Sequence, residues 1–236
     1  MLERLTQRAR GLYYRSVLPP TAAQIKSLGL TYLSYEKLAS LLRLVRQAKA
    51  NGISGDFVEF GVALGGSAIF IASELDAGRA FYGYDVFGMI PPPGEQDDEK
   101  SRRRYAVISS GKAVGLKGSQ YYGYMVDLHS IVCKNFERFG MHVDGRRIVL
   151  RKGPFEQTAP QDADRRISIA HVDCDWYEPV RYCLVEAEKR VSRGGFVILD
   201  DYNDYGGCRA ATDEFIAGAG HFELLGTHPH AVLRKR

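Results

Sequence analysis

The sequence contains few cysteines and no long apolar segment. Its four cysteines form no Cys-x-x-Cys pair and have no histidine at a zinc-ligand spacing, so neither a disulfide framework nor a zinc site is expected. No apolar run is long enough to span a membrane, and residues 1–16 lack the apolar stretch of a secretory signal. These absences favour reduced thiols, no membrane span and a cytoplasmic location.

The sequence also lacks a large charge of either sign, because 32 Lys and Arg oppose 28 Asp and Glu for a net charge of +4. So small a positive excess predicts that the protein has no nucleic-acid partner. The composition, 45% hydrophobic and 25% charged over 236 residues, excludes the disordered, collagen-like and coiled-coil classes. We expect one domain over residues 31–236. A basic arm over residues 1–30 is expected to pack on that domain or on a neighbouring subunit of a homo-oligomer.

Hydrophobic patterning predicts that strands and helices alternate. Ser34 can cap a helix with apolar positions at Leu38, Leu41, Leu42 and Val45. Strands are predicted at residues 56–61, 80–85, 147–150, 167–172 and 195–199, with helices at residues 67–75 and 180–191 and around residues 128–136. Two apolar runs at residues 223–225 and 231–233 predict an antiparallel hairpin. The pattern indicates an α/β fold, doubly wound, with a mostly parallel sheet of about seven strands and the hairpin at its C-terminal edge.

Residues 91–124 interrupt this alternation with three prolines, a dense run of charge and scattered glycines. A connection this long is predicted to be either a lid over a binding site or a disordered loop. Its candidate contacts to a substrate are Arg102, Arg103, Arg104, Tyr121, Tyr122 and Tyr124, although each also fits a solvated loop.

A glycine-rich turn follows the first predicted strand. Glu59 lies on the strand, Gly61 and Gly65 lie in the turn, and Ser67 opens the next helix, so the backbone can approach a ligand closely. Asp85 ends the second strand, near the spacing of about 20 residues at which an acid meets a ribose hydroxyl. The match to the dinucleotide fingerprint is imperfect, and glycines that serve only packing are the alternative. The acids favour S-adenosylmethionine (SAM), whose ribose hydroxyls and ammonium group are hydrogen-bond donors.

Two acidic pairs end neighbouring predicted strands: Asp173 with Asp175, and Asp200 with Asp201. Four carboxylates in one crevice would raise one another's pKa unless a cation lay among them. An all-oxygen set favours Mg²⁺, with Mn²⁺ also suitable. Acids that only cap turns are one alternative, and a metal-dependent glycosyltransferase with an Asp-x-Asp motif is another, although it would not explain the glycine turn with Asp85.

The chain resembles the macrocin O-methyltransferase family from about residue 31 to the C-terminus. The resemblance rests on four segments: FVEFG with GGS at residues 57–67, YDVFG at 84–88, VDCDWYE at 172–178, and GG through DDY to GCR and DEF at 194–215. It implies a Rossmann-like class I methyltransferase that uses SAM and Mg²⁺ to methylate a sugar hydroxyl, commonly on an antibiotic. By position, Asp173, Asp200 and Asp201 would hold the metal and Asp175 would be the base. The cofactor-binding residues would be Glu59, Gly61, Gly65, Ser67, Asp85, Phe87, Gly153 and Phe155, with Gly153 and Phe155 beside the adenine.

Metal binding also indicates which kind of acceptor to expect. Because two adjacent hydroxyls can chelate one ion, we expect a vicinal diol on a sugar or small-molecule glycoside. A catechol-type phenolic acceptor would also satisfy this, and a non-catalytic SAM-binding protein is a further alternative. His171, His228 and His230 are expected to be structural.

Overall fold

The structure is a computed structural model that describes residues 11–236. Its strands are β1 (Asp56–Phe60), β2 (Phe81–Asp85), β3 (Ile148–Lys152), β4 (Ile167–Val172), β5 (Val191–Leu199), β6 (Phe222–Gly226) and β7 (Ala231–Lys235). They form one sheet in the order β3-β2-β1-β4-β5-β7-β6. The first five are parallel, and β7 runs antiparallel to both β5 and β6. The predicted fold class is therefore confirmed, including the antiparallel pair at the edge.

Helices cover both faces of this sheet. They are α1 (Pro20–Ser27), α2 (Tyr35–Ala50), α3 (Gly66–Ala72), α4 (Glu99–Ser109), α5 (Leu128–Glu137), α6 (Phe155–Thr158), α7 (Tyr177–Arg190) and α8 (Gly206–Gly218), with short 3-10 turns at Leu116–Gly118, Tyr122–Tyr124, Ala159–Asp162 and Asp200–Asn203. Residues 11–17 are also helical. No helix among residues 11–236 is long and apolar enough to cross a membrane.

Successive side chains along each strand point to opposite faces of the sheet and pack in two separate hydrophobic cores. Phe57 of β1 packs in the core that contains α1, α2, α3 and α5, whereas its neighbour Val58 packs in the core with α7 and α8. Both side chains are fully buried, and each such burial stabilises the fold by about 1.5–3 kcal/mol. Because helices cover both faces of the sheet, the central strands are mostly apolar and do not alternate between an apolar and an exposed polar face.

The structure agrees with most predicted boundaries and corrects one. The Ser34 hydroxyl accepts a hydrogen bond from the Lys37 backbone N–H at 3.1 Å, so it caps α2 as predicted. Strand β5 begins at Val191, where the sequence predicted the end of a helix and a strand only from Gly195. The pairing of β5 with β4 shifts register between Ile167 and Ile169. Gly194 and Gly195, which the sequence suggests as a turn, lie in this irregular part of β5.

Only part of the predicted N-terminal arm lies within the described residues. Residues 1–10 fall outside them, whereas Ala22 and Ile25 of α1 are fully buried in the domain core. A role for the arm in assembly stays a prediction.

The insertion, residues 91–124, is folded onto the domain. Asp97 is buried; its Oδ1 accepts from the Tyr177 backbone N–H at 2.9 Å and its Oδ2 from that of Gly94 at 2.8 Å. The Trp176 indole donates to the Pro91 carbonyl at 3.0 Å. The start of the insertion is therefore fixed to the beginning of α7, beside the loop that follows β4.

Replacing Asp97 with alanine should destabilise the protein. Two backbone N–H groups would lose their acceptor, and a buried unpaired donor costs about 1–3 kcal/mol, so we expect the free energy of unfolding to fall by about 2 kcal/mol or more in a urea titration. Glu95→Ala, at an exposed residue of the same segment, is the control and should change it by less than about 0.5 kcal/mol. Equal effects of the two substitutions would contradict this anchoring role.

Candidate active site

A cleft of about 790 Å³ opens at the carboxyl ends of the central strands. Parallel sheets bind ligands at this edge because their strand ends and helix N-termini converge there. Its floor is formed by the ends of β1, β2, β4 and β5, and one wall comes from the insertion. The strand-end residues at the floor include Gly61, Asp85, Asp173 and Asp200.

Gly61 is required by the close approach of two strand ends. Its φ is +93°, and a Cβ placed there would lie 1.9 Å from the backbone oxygen of Asp173. The Asp173 N–H donates to the Phe60 carbonyl at 2.8 Å, so the turn after β1 and the first acid after β4 touch directly. Gly65 also has a left-handed φ, of +86°, and is the N-cap residue that precedes α3. The glycines therefore bring the turn close both to the acids and to the cleft.

The Asp85 carboxylate holds the glycine turn in place. Its Oδ2 accepts from the backbone N–H groups of Val62 at 2.7 Å and Ala63 at 2.9 Å, and its Oδ1 accepts from that of Phe87 at 2.6 Å. Burial raises the pKa of Asp85 although these three donors oppose the shift. Since a carboxylate oxygen accepts two hydrogen bonds, Oδ1 keeps one lone pair for a ligand.

Three carboxylates converge on the floor of the cleft. Asp173, Asp200 and Asp201 each offer an oxygen, and these atoms lie within 4.8 Å of one another. Burial, followed by the neighbouring Asp200 carboxylate, raises the pKa of Asp173 well above its usual value; burial and Asp175 do the same to Asp201. His171 opposes the shift at Asp173 and Lys37 opposes it at Asp201, but neither offsets burial and the neighbouring carboxylates.

Asp200 differs from its two neighbours because Lys37 and two histidines surround it. Burial raises its pKa, but His171, His230 and Lys37 outweigh burial and hold that pKa well below its usual value. Its Oδ1 is nevertheless buried without a hydrogen-bond partner. A converging, all-oxygen donor set with an unsatisfied oxygen fits a hard divalent cation such as Mg²⁺.

Asp175 lies next to this cluster in a left-handed backbone conformation, with φ of +61°. Its backbone N–H donates to Asp201 Oδ2 at 3.0 Å, which ties the two acidic loops together. Burial, opposed by the Arg104 guanidinium and assisted by the Asp200 carboxylate, raises the pKa of Asp175 to about 7. The side chain lines the cleft, so it can reach a ligand bound there.

Lys37 is a residue of the site that the sequence analysis missed. Its Nζ lies 2.9 Å from Asp200 Oδ2 and 3.2 Å from Asp204 Oδ2, and its side chain is only 16% exposed. The neighbouring carboxylates raise its pKa although burial opposes them. A signal was present in the sequence, because a lysine in the first turn of a helix is unfavourable for the helix dipole. Such a position suggests a carboxylate partner elsewhere in the fold.

The candidate contacts of the insertion fall into two groups. Arg104, Tyr121 and Tyr122 line the cleft, and the Arg104 guanidinium lies 5.6 Å from the centroid of the Tyr121 ring. Arg102 and Arg103 are exposed and contact Glu99 instead, while the Tyr124 hydroxyl donates to the Ile108 carbonyl.

Most of the predicted site residues line this cleft. The eight that do so are Gly61, Ser67, Asp85, Phe155, Asp173, Asp175, Asp200 and Asp201. Four others, Glu59, Gly65, Phe87 and Gly153, are not among the residues that line it. Gly65 and Phe87 lie in the two turns that Asp85 joins, and Gly153 follows β3 with φ of +141°. The assigned role of each of these residues stays a prediction.

The histidines occupy supporting positions near the acids. His171 is fully buried with its Nδ1 2.7 Å from Glu59 Oε1. Burial lowers its pKa, but the flanking Asp200 and Glu59 carboxylates raise it to about 10. His230 Nε2 lies 3.0 Å from the Ser40 hydroxyl, and His228 Nε2 lies 3.1 Å from Glu36 on the surface.

This sheet, with a glycine turn after β1 and acids at the ends of β2, β4 and β5, is the architecture of a class I methyltransferase. The model of the family described as macrocin-O-methyltransferase (TylF) matches residues 19–222, and the chain belongs to that family. It is a SAM-dependent O-methyltransferase.

Named relatives agree with this assignment. The chain is 30% identical to the 8-demethyl-8-(2,3-dimethoxy-alpha-L-rhamnosyl)-tetracenomycin-C 4'-O-methyltransferase of Streptomyces olivaceus, over 78% of this chain and 67% of the relative. It is 30% identical to the mycinamicin III 3''-O-methyltransferase of Micromonospora griseorubida, over 78% and 69%. Among solved structures, the O-methyltransferase NovP superposes with a TM-score of 0.71 at 26% identity, covering 88% of this chain and 82% of NovP.

Substituting Gly61 by alanine should disrupt the site, because the added Cβ would lie 1.9 Å from the Asp173 oxygen. Gly78→Ala is a matched control: Gly78 also has a positive φ, +87°, but nothing lies within 4 Å of its Cβ position. We expect a destabilisation of about 1 kcal/mol for the control from backbone strain. Gly61→Ala should cost several kcal/mol and abolish SAM binding, as thermal unfolding and calorimetry would show. Equal destabilisation of the two variants would argue against the close contact.

Proposed function

We propose that this enzyme transfers the methyl group of SAM to a sugar hydroxyl of a glycosylated natural product, assisted by Mg²⁺ at Asp173, Asp200 and Asp201. The observation that carries the proposal is the convergence of these three carboxylates, within 4.8 Å of one another, beside the glycine turn and within one cleft. Mn²⁺, which prefers similar oxygen ligands, could replace Mg²⁺.

The named relatives support a sugar as the acceptor. One is named for methylating a rhamnosyl tetracenomycin at its 4' position and another for methylating mycinamicin III at its 3'' position. Family membership removes the glycosyltransferase alternative, because the family is one of methyltransferases. Cytoplasmic location and a homo-oligomeric state stay predictions.

The cofactor would lie over the glycine turn. Gly61 and Ser67 line the floor there, Asp85 keeps a lone pair on Oδ1, and Phe155 contributes an aromatic surface. Phe155 packs edge-on against Phe60, with ring centroids 5.5 Å apart, which fixes its ring beside the cleft. We assign the ribose to Asp85 and the adenine to the neighbourhood of Phe155 and Gly153.

Deprotonation of the acceptor is the difficult part of the reaction. An alcohol with a pKa near that of water, about 15.7, lies roughly 12 units above an ordinary aspartate, a gap of about 16 kcal/mol. Asp173, Asp200 and Asp201 would hold the divalent cation, whose charge would favour the deprotonated form of a nearby hydroxyl. A vicinal diol suits such a site because its two oxygens can reach one ion.

Asp175 would accept the proton. The acceptor oxygen attacks the methyl carbon, a new C–O bond forms, the C–S bond breaks, and the electron pair returns to sulfur to give S-adenosylhomocysteine. The hydroxyl proton moves to the Asp175 carboxylate. The insertion, through Arg104 and Tyr121, would hold the acceptor against the floor and exclude water, so that the two substrates are aligned for in-line transfer.

The metal requirement can be tested with purified enzyme, SAM and a panel of diols that includes a simple rhamnoside and a catechol. We expect EDTA, and separately Asp173→Asn, to lower kcat on the rhamnoside on the order of 10³-fold, because several kcal/mol of charge stabilisation is lost. SAM affinity measured by calorimetry should change little. Asp164→Asn, an exposed acid before β4, is the control.

Full activity in EDTA would remove the metal from the mechanism. Turnover of the catechol without turnover of any glycoside would replace the sugar acceptor with a phenolic one.

Asp175→Asn should separate proton transfer from binding. The backbone N–H that Asp175 donates to Asp201 remains in this variant, so affinities for SAM and Mn²⁺ should be retained. Loss of a general base typically costs 10²–10⁴-fold, and we expect a fall of about that size in kcat, measured by quantifying the methylated product. A fall of less than about fivefold would assign the proton to another acceptor.

A further inference from the structure

A buried row of side chains connects the strand that precedes the cofactor turn with the acid cluster. Strand β4 lies between β1 and β5, and Glu59 is registered opposite His171, which is registered opposite Ile198. Residues that face each other across parallel strands lie on the same side of the sheet, and every second residue returns to that side. Asp200 follows Ile198 by two positions and begins the turn after β5, so the row consists of Glu59 and His171 within the sheet, with Asp200 directly beyond the end of the third strand.

Two successive contacts link Glu59 to the acid cluster through His171. Glu59 Oε1 lies 2.7 Å from His171 Nδ1, and His171 Nε2 faces Asp200 Oδ1 at 3.8 Å. Glu59 and His171 are both 0% exposed. The short contact to Glu59 fixes the plane of the imidazole ring and therefore the direction in which Nε2 points. His171 Nε2 makes no hydrogen bond of its own, so its main neighbour at that end is the Asp200 carboxylate.

One oxygen of the buried Glu59 carboxylate has a partner within the sheet: Oε1 lies 2.7 Å from His171 Nδ1, whereas Oε2 has no hydrogen-bond partner among the described residues. Burying a carboxylate without a partner is strongly unfavourable, and Glu59 is not among the residues that line the cleft. His171, opposite Glu59 in the sheet, is the partner that this carboxylate contacts. Glu59, which the sequence predicts to be a cofactor ligand, therefore contacts a residue of β4, the strand that directly precedes Asp173.

We propose that Glu59 is a positioning residue for the metal ligand Asp200, acting through His171, rather than a cofactor ligand. The inference rests on the metal site of the proposed function. Partners that orient the ligands of a metal commonly affect its affinity 10–100-fold when they are removed. Glu59 would keep the imidazole fixed, and the imidazole would hold Asp200 Oδ1 towards Asp173 and Asp201.

The experiment compares metal and cofactor affinity in the same variants. Mn²⁺ binding is measured by electron paramagnetic resonance of the free ion, and SAM binding by calorimetry in EDTA, so that the metal cannot couple the two. Glu59→Gln should weaken Mn²⁺ binding about tenfold or more and leave SAM affinity within twofold. Asp56→Asn is the matched control: Asp56 is a buried acid at the opposite end of the same strand, and its Oδ1 accepts from the Ala80 N–H at 2.8 Å. It should leave Mn²⁺ affinity unchanged.

A second variant tests the role of His171 as the intermediate. His171→Asn keeps a donor near the position of Nδ1 but removes the group that faces Asp200, so it should weaken Mn²⁺ binding to a similar extent. If both residues act in one row, the double variant Glu59→Gln/His171→Asn should be no weaker than His171→Asn alone. Circular dichroism and thermal unfolding establish that each variant is folded. Should Glu59→Gln fail to fold, His171→Asn alone decides, because its effect on Mn²⁺ is predicted independently.

The outcomes are distinguishable. Weaker Mn²⁺ binding with unchanged SAM binding supports the proposal. A loss of SAM affinity in EDTA overturns it and returns Glu59 to the cofactor site, and unchanged Mn²⁺ affinity in both folded variants also overturns it. A wild-type protein that binds no Mn²⁺ removes the metal from the proposed function itself, and this inference with it, before any variant is compared.

Discussion

The contact between the carboxyl ends of β1 and β4 determines the geometry of the site. At Gly61 the backbone lies so close to the Asp173 carbonyl that no side chain fits between them, and the Asp173 N–H to Phe60 carbonyl bond keeps the two ends aligned. The turn that would hold the cofactor and the first acid of the cluster are therefore parts of one hydrogen-bonded unit. A methyl donor over the turn and a hydroxyl at the acids would be brought together by the sheet itself.

Burial disfavours the charged form of all three acids, and neighbouring protein groups outweigh this effect at only one of them. Asp200 is surrounded by Lys37, His171 and His230, which favour its charged form, whereas burial and neighbouring carboxylates raise the pKa of Asp173 and Asp201. The protein itself thus favours the charged form of one carboxylate. Under the proposed function, a cation bound at the cluster would favour the charged forms of the other two.

Sequence patterns were sufficient for the fold and for the acids because both depend on local signals. Mostly apolar strands, the Ser34 cap and acids directly after strands can each be recognised within a few residues of sequence. Glu59 and Lys37 could not be placed in the same way, since their partners, His171 and Asp200, are far away in the sequence and become neighbours only through strand order and helix packing. The start of β5 was missed because the Gly194–Gly195 pair suggests a turn, whereas the strand accommodates it through a shift of register.

The insertion that would hold the acceptor is tied to the same acidic loops. Asp97 and Trp176 tie its first residues to the loop after β4, and Asp98 accepts from the Gly206 N–H at 3.0 Å, next to the loop after β5. Both anchors lie within a few residues of the carboxylates. A change in how the first residues of the insertion pack would consequently shift the acidic loops. Arg104 and Tyr121 lie further along the insertion and line the cleft, so under the proposed function a substitution there would change the acceptor contacts and leave the anchors at residues 91–98 in place.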